Sequence, residues 1–132
     1  MKTVTTWKTG GEFDSTQNGA EISIDSNKGF SPKALLLTGL AGCTGVDIVD
    51  ILQKMRLPFS ELKIEAEAEQ TEEHPRVFKT IHLKYVVGVE EGERERVIRA
   101  IELSLDKYCG VAAMLRKNST IVYELQLTGA AL

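Results

Sequence analysis

The residues of this sequence best suited to nucleophilic or redox chemistry are its two cysteines, Cys43 and Cys109. A cysteine reacts as the thiolate, and a helix N-terminus favours that form. Cys109 directly precedes a short helix predicted to start at Gly110, whereas Cys43 lies within a long apolar helix. Free cysteines are also commonly small buried hydrophobes. The spacing alone leaves both interpretations open: reactive thiols or inert core residues.

The sequence lacks the patterns of other common catalytic and metal sites. The cysteines are too far apart in the chain for a zinc motif. His74 falls in a predicted turn and His82 on the polar face of a predicted strand, so both are expected at the surface. No serine lies in a nucleophile-elbow pattern, and no Gly-Lys-Ser/Thr follows Gly10 and Gly11. We therefore expect neither a metal nor a cofactor.

Composition and charge indicate one soluble domain spanning residues 1–132. The net charge is −3, and there is no basic stripe that would neutralise nucleic-acid phosphates. The longest uncharged apolar stretch, residues 34–46, is shorter than the roughly 20 residues of a membrane span, so we expect a buried helix segment. The first six residues lack the apolar core of a signal peptide. These features predict a cytoplasmic protein with reduced thiols that binds neither nucleic acid nor membrane.

Hydrophobic periodicity and turn signals predict an α+β fold with the order β-β-β-α-β-β-α-β, in which antiparallel sheets pack on a long central apolar helix. Asn18-Gly19 indicates a tight hairpin, and the alternation of Ala20, Ile22 and Ile24 with polar residues predicts one buried face. Strands are predicted at 4–8, 13–17, 20–25, 62–69, 80–89 and 121–127, and helices at 31–56, 93–108 and 110–117. Too few helices separate the strands for a doubly wound parallel sheet.

The first half of the long helix is apolar on all sides, and a domain of this size offers too little cover for it. Gly39, Gly42 and Gly45 each cost roughly 1 kcal/mol relative to alanine in a helix interior. Their presence makes sense if another backbone approaches closely. We therefore predict a homodimer, in which a second copy covers this helix. The alternative is a glycine-rich core helix within a monomer.

Three segments resemble motifs of the osmotically inducible protein C and organic hydroperoxide resistance (OsmC/Ohr) family. Residues 31–36 (SPKALL) with 41–43 (AGC) resemble its first cysteine motif, and residues 107–112 (KYCGVA) resemble its second. Residues 74–78 (HPRVF) with 81–83 (IHL) resemble its central strand entry. The element order agrees as well, and the resemblance covers nearly the whole chain. It is closest to the short, poorly characterised subgroup of the family.

The resemblance implies an intertwined homodimer with two sites at the interface, acting as a cysteine-based peroxidase in oxidative-stress defence. Cys43 would be the peroxidatic residue, whose thiolate attacks an organic hydroperoxide and becomes a sulfenic acid. Cys109 would be the resolving residue, which condenses with it to a disulfide. A small or protein-bound dithiol would then reduce that disulfide.

The charges expected around the reactive thiol depart from the family pattern. The hydroperoxide-resistance branch has an arginine near the N-terminal glycines and a glutamate inside the first helix, whereas this chain has Glu12 and Lys33. These two residues are either an exchanged pair that tunes the thiolate or solvated surface charges, and Arg76 is another candidate cation. The departure keeps a second function open. That function is a non-catalytic dimeric module that binds a small apolar or thiol-bearing ligand at the dimer interface.

Overall fold

The computed structural model describes residues 1–129, which form two compact units, the first being Met1–Leu36 and the second starting at Leu37. Each unit contains one three-stranded sheet. Helices and strands occur in the predicted order, so the α+β class is confirmed. The prediction of a single domain over residues 1–132 stays a prediction.

The first unit is an antiparallel meander. It consists of β1 (Val4–Thr9), β2 (Glu12–Gln17) and β3 (Ala20–Ile24), with β2 in the centre. Asn18 and Gly19 connect β2 to β3 with φ angles of 50° and 83°. Two successive positive φ angles are the requirement of a type I′ turn. The hairpin prediction is therefore confirmed.

The expected burial of one face of β3 is wrong for the single chain. Ala20 and Ile22 are exposed, and only Ile24 is half-buried. The register places Trp7 opposite Phe13 and Phe13 opposite Ile24, so an apolar row crosses the sheet. Trp7 is 62% exposed within this row. The alternation identified the apolar face correctly, but the first unit does not itself cover this face.

Helix α1 (Pro32–Lys54) begins as predicted at Ser31, whose Oγ accepts a hydrogen bond from the Ala34 N–H at 3.3 Å. Its fully buried residues recur every fourth position and define one narrow stripe: Leu40, Thr44, Ile48 and Leu52. The expectation that residues 34–46 are buried is wrong for the single chain, because Leu36 is 49% and Val46 71% exposed. One stripe packs on the core, and the remaining apolar surface of α1 is open.

By length and composition alone, α1 would be able to cross a membrane, and 22% of its most apolar window is buried. Core helices of soluble proteins also pass this test of length and composition. The buried stripe of α1 contributes to the same core cluster as the second sheet, as expected for such a core helix.

The second sheet consists of β4 (Leu62–Gln70), β5 (Phe78–Val87) and β6 (Thr120–Leu127), with β5 in the centre. β4 and β5 pair antiparallel as predicted, but β5 and β6 pair parallel, so this sheet is mixed where antiparallel sheets were expected. A parallel pair needs a long crossover connection. The helices between β5 and β6 provide it.

The crossover contains four helical segments where the sequence suggested one long helix and one short one. A 3₁₀ turn (Glu91–Glu93) leads into α2 (Arg94–Leu103), and a π-helical turn (Ser104–Tyr108) follows. The N–H of Cys109 donates to the carbonyl oxygen of Ser104 at 2.7 Å, which closes the π turn. Helix α3 (Gly110–Arg116) then starts where predicted. Single π turns of this kind are frequent at functional sites.

A close backbone contact beside β5 gives a test of the fold. A Cβ added at Gly88 would collide with the Ser60 Oγ and lie 2.9 Å from the backbone nitrogen of Glu61. The Gly88 N–H also donates a hydrogen bond to the Glu61 carbonyl oxygen, which holds the two backbones close together. We expect Gly88→Ala to lower the free energy of unfolding by about 1–3 kcal/mol, because backbone must shift.

Gly92→Ala is the matched control, since a Cβ at Gly92 meets nothing within 4 Å. Urea denaturation of both variants measures the difference. Equal stabilities for the two variants would contradict the described contact.

Candidate functional site

The second unit brings the two cysteines together. Cys43 lies on α1 and is half-buried, whereas Cys109 caps the N-terminus of α3 and is only 3% exposed. Both are free thiols, and Cys43 lies close enough to Cys109 to raise the pKa of the Cys109 thiol. The predicted location of Cys109 at a helix N-terminus is confirmed, since its Sγ accepts from the Ala112 N–H at 3.4 Å. One thiol is thus reachable from solvent, and the other is enclosed beside it.

Burial keeps Cys109 protonated. It is the largest of the causes that together raise the pKa of this thiol to about 11; Cys43 adds to the rise, and the hydrogen bond from the Ala112 N–H lowers the pKa by less. The negative charge of Asp47 acts in the same direction as burial. The helix N-terminus was expected to favour a thiolate here, but loss of hydration outweighs that effect. Near neutral pH, Cys109 is therefore a thiol.

A chain of hydrogen-bonded side chains lies next to the thiols. The Thr44 Oγ1 is 2.9 Å from the Tyr85 hydroxyl and 2.7 Å from the Ser104 Oγ. The Ser104 Oγ donates to the Asp47 Oδ2 at 2.8 Å. Burial raises the pKa of Tyr85 to about 12, so its phenol stays protonated. The chain joins α1, β5 and the π turn.

The sequence analysis did not identify the residues of this hydrogen-bonded chain as part of the site. One signal was present: Asp47 ends the apolar stretch four residues after Cys43, which places both on one face of the helix. Ser104 and Thr44 carry no such signal, because only the packing of distant segments brings them together.

Lys33 and Glu12 both belong to the first unit, whereas the cysteines belong to the second. Lys33 is exposed in the first turn of α1, and Glu12 is half-buried at the start of β2. The pKa of Lys8 is raised mainly because Lys8 donates a hydrogen bond to Asp14, and the negative charge of Glu12 adds to this rise. The thiolate-tuning role of Lys33 and Glu12 stays a prediction.

The histidines lie at the surface as expected. His82 is exposed, with its Nε2 3.4 Å from the Glu69 Oε1, and His74 is exposed in the connection between β4 and β5. Arg76 is exposed in the same connection. Among residues 1–129, no three His, Cys, Asp or Glu side chains are grouped to hold a metal ion.

Two grooves border α1 in the second unit. The thiol-side groove, about 520 Å³, has Asp47, Ile51, Met55, Leu103 and Tyr108 in its walls. The glycine-side groove, about 700 Å³, is mostly apolar and lies along the opposite side of the helix. Its walls include Ala41, Gly42, Val46, Val49, Leu62 and Ile64.

Comparison with known proteins identifies the family. The OsmC-like protein family matches residues 25–124. The chain belongs to this family. It is 35% identical over 116 residues to Protein YhfA of Escherichia coli, a match that covers 86% of this chain and 87% of that protein.

Solved structures agree with the OsmC-like assignment. A hypothetical protein from Aquifex aeolicus has a TM-score of 0.90 and 30% identity, with 98% of this chain and 97% of that chain covered. An organic hydroperoxide resistance protein from Legionella pneumophila has a TM-score of 0.65 and 15% identity, with 99% and 98% covered. The second comparison shows a shared fold alone. The family resemblance inferred from the cysteine motifs is thus confirmed.

Proposed function

We propose that this OsmC-like protein is a thiol-dependent peroxidase that reduces organic hydroperoxides. The observation that carries the proposal is the pairing of a half-exposed Cys43 with a buried, protonated Cys109. A hydroperoxide reaches only the first thiol, and the second is in place to trap the product. The name of the Legionella relative, an organic hydroperoxide resistance protein, agrees with this chemistry.

The reaction has three balanced steps. The Cys43 sulfur attacks the peroxide O–O bond, so that thiol and hydroperoxide become a sulfenic acid and an alcohol. The Cys109 thiol then attacks the Cys43 sulfenic acid, and the two form a disulfide and release water. A dithiol, small or protein-bound, reduces this disulfide by thiol–disulfide exchange and is itself oxidised.

The thiol-side groove supports an organic substrate. Asp47 in its wall lies one helical turn after Cys43 on α1, and Tyr108 in the same wall precedes Cys109. Ile51, Met55 and Leu103 add apolar surface that an alkyl or aryl group contacts. Hydrogen peroxide has no such group and gains nothing from these walls.

The functional unit is a homodimer. The open side of α1 bears Val46, which is 71% exposed, above the glycine-side groove. A Cβ at Gly39 or Gly42 would meet nothing within 4 Å in the single chain, so there is room for a second backbone. Exposed apolar surface of this extent on a soluble chain marks an interaction site. A second copy covers it.

A second candidate is a binding module without catalysis, which holds a small apolar or thiol-bearing ligand. One observation favours it: the charged side chain of Asp47 raises the pKa of Cys109 and so opposes its thiolate. Thiolates of reactive cysteines usually have a cation nearby. Reactivity toward peroxide separates the two functions.

Peroxide treatment tests the enzyme directly. We expect one equivalent of cumene hydroperoxide to convert the reduced protein to a Cys43–Cys109 disulfide, because the sulfenic acid forms beside the second thiol. Peptide mapping by mass spectrometry detects the link. Cys43→Ser is the control and should stay unlinked. If both thiols of the unmodified protein remain reduced for many minutes, the binding module is the better account.

The dimer is tested by size-exclusion chromatography with light scattering. The protein is expected to elute with twice the mass of one chain, and Val46→Asp to elute as a monomer, because a carboxylate would be buried without a partner. Val122→Asp is the matched control, since Val122 is 41% exposed on β6 and lies outside the glycine-side groove. A monomeric unmodified protein would exclude the homodimer.

A further inference from the structure

The hydroxyl chain beside the thiols has a defined direction. Each hydroxyl has a single proton to donate. The Ser104 hydroxyl donates its hydrogen bond to the Asp47 carboxylate, so the Ser104 oxygen accepts the hydrogen bond from the Thr44 hydroxyl. Thr44 has then used its own proton, and its oxygen accepts from the Tyr85 phenol. The donors thus run from Tyr85 through Thr44 and Ser104 to Asp47, and the carboxylate fixes every orientation.

The hydroxyl chain is complete, and its three hydroxyl groups are buried. Thr44, Tyr85 and Ser104 are each 0% exposed, and no buried side-chain polar atom among the described residues lacks a partner. Hydrogen bonds aligned in one direction polarise and strengthen one another in a site of low dielectric constant. Removing the terminal acceptor therefore affects all three hydroxyls.

Ser104 connects this chain to the second thiol. Its side chain binds Asp47, while its carbonyl oxygen accepts the Cys109 N–H at 2.7 Å across the π turn. Asp47 on α1 thus holds the start of the turn, and the turn presents Cys109 to Cys43 on the same helix. The helix that bears the first thiol also positions the second.

We propose that Asp47 is a positioning residue for Cys109: through Ser104 it fixes the π turn, and so it controls closure of the Cys43–Cys109 disulfide. The biological purpose of this role rests on the proposed function, but formation of the Cys43–Cys109 disulfide can be measured without peroxide. Groups that act on the Cys109 thiol include Cys43 and Asp47 from α1, Tyr85 from β5 and the Ala112 N–H from α3.

The first measurement is the disulfide equilibrium in a glutathione redox buffer. Oxidised glutathione and the protein dithiol exchange to give the protein disulfide and two molecules of reduced glutathione. Asp47→Asn weakens the bond from Ser104, because an amide oxygen is a weaker acceptor than a carboxylate, and Ser104→Ala removes that bond. We expect both variants to shift the equilibrium toward the dithiol, by about tenfold for Ser104→Ala, because a loosened turn lowers the effective concentration of one thiol at the other.

Asp50→Asn is the matched control. It removes the same charge from the same helix, but Asp50 is exposed and pairs with Lys54 at 2.9 Å instead of joining the hydroxyl chain. Its equilibrium should stay within about twofold of the unmodified protein. Circular dichroism verifies that each variant is folded, and Ser104→Ala tests the same link should Asp47→Asn not fold.

The second measurement reports on the thiol itself. In a Cys43→Ala background, Asp47→Asn removes a negative charge near Cys109 and lowers its pKa, so iodoacetamide at pH 8.5 should modify Cys109 about threefold faster. Asp50→Asn should leave the rate unchanged. Two results would overturn the proposal. The first is a glutathione equilibrium that is the same for Asp47→Asn, Ser104→Ala and Asp50→Asn. The second is a Cys109 alkylation rate that is the same for Asp47→Asn and Asp50→Asn. Neither readout depends on peroxide, so a failed peroxidase test leaves both intact.

Discussion

One contact, between the thiols of Cys43 and Cys109, governs how the rest of the second unit serves the site. Helix α1 presents Cys43 half-exposed, and the turn before α3 presents Cys109 within the core. Burial is the main cause that raises the pKa of Cys109 to about 11, so under the proposed function this sulfur does not compete with Cys43 as a nucleophile. In that proposal the two residues have the same chemistry, and their surroundings assign them different roles.

The irregular geometry of the crossover between β5 and β6 positions Cys109. A regular α-helix through residues 104–108 would continue past the position where Cys109 turns into α3. The π turn ends it, and the Cys109 N–H finds its acceptor in Ser104. Buried polar groups are costly unless every member has a partner, and the chain from Tyr85 to Asp47 meets that condition. A satisfied network of this kind specifies one arrangement of the elements that it joins.

Local chemistry made part of this structure predictable. The Asn18-Gly19 hairpin, the Ser31 cap and the α3 start at Gly110 each follow from a few neighbouring residues. The parallel pairing of β6 and the hydroxyl chain join segments about 40 to 60 residues apart, and no short pattern encodes them. The apolar sequence patterns identified the apolar faces of the first sheet and of α1, but they did not show what covers those faces. That shortfall in cover agrees with a second copy of the chain.

The order in which the thiols react tests the central claim most directly. Dimedone captures sulfenic acids, so it can be added with cumene hydroperoxide to Cys109→Ser and, separately, to Cys43→Ser. The predicted result is a stable dimedone adduct on Cys43 in the first variant and no adduct on Cys109 in the second. An adduct on Cys109, or none on Cys43, would contradict the assignment of the exposed thiol as the one that attacks peroxide.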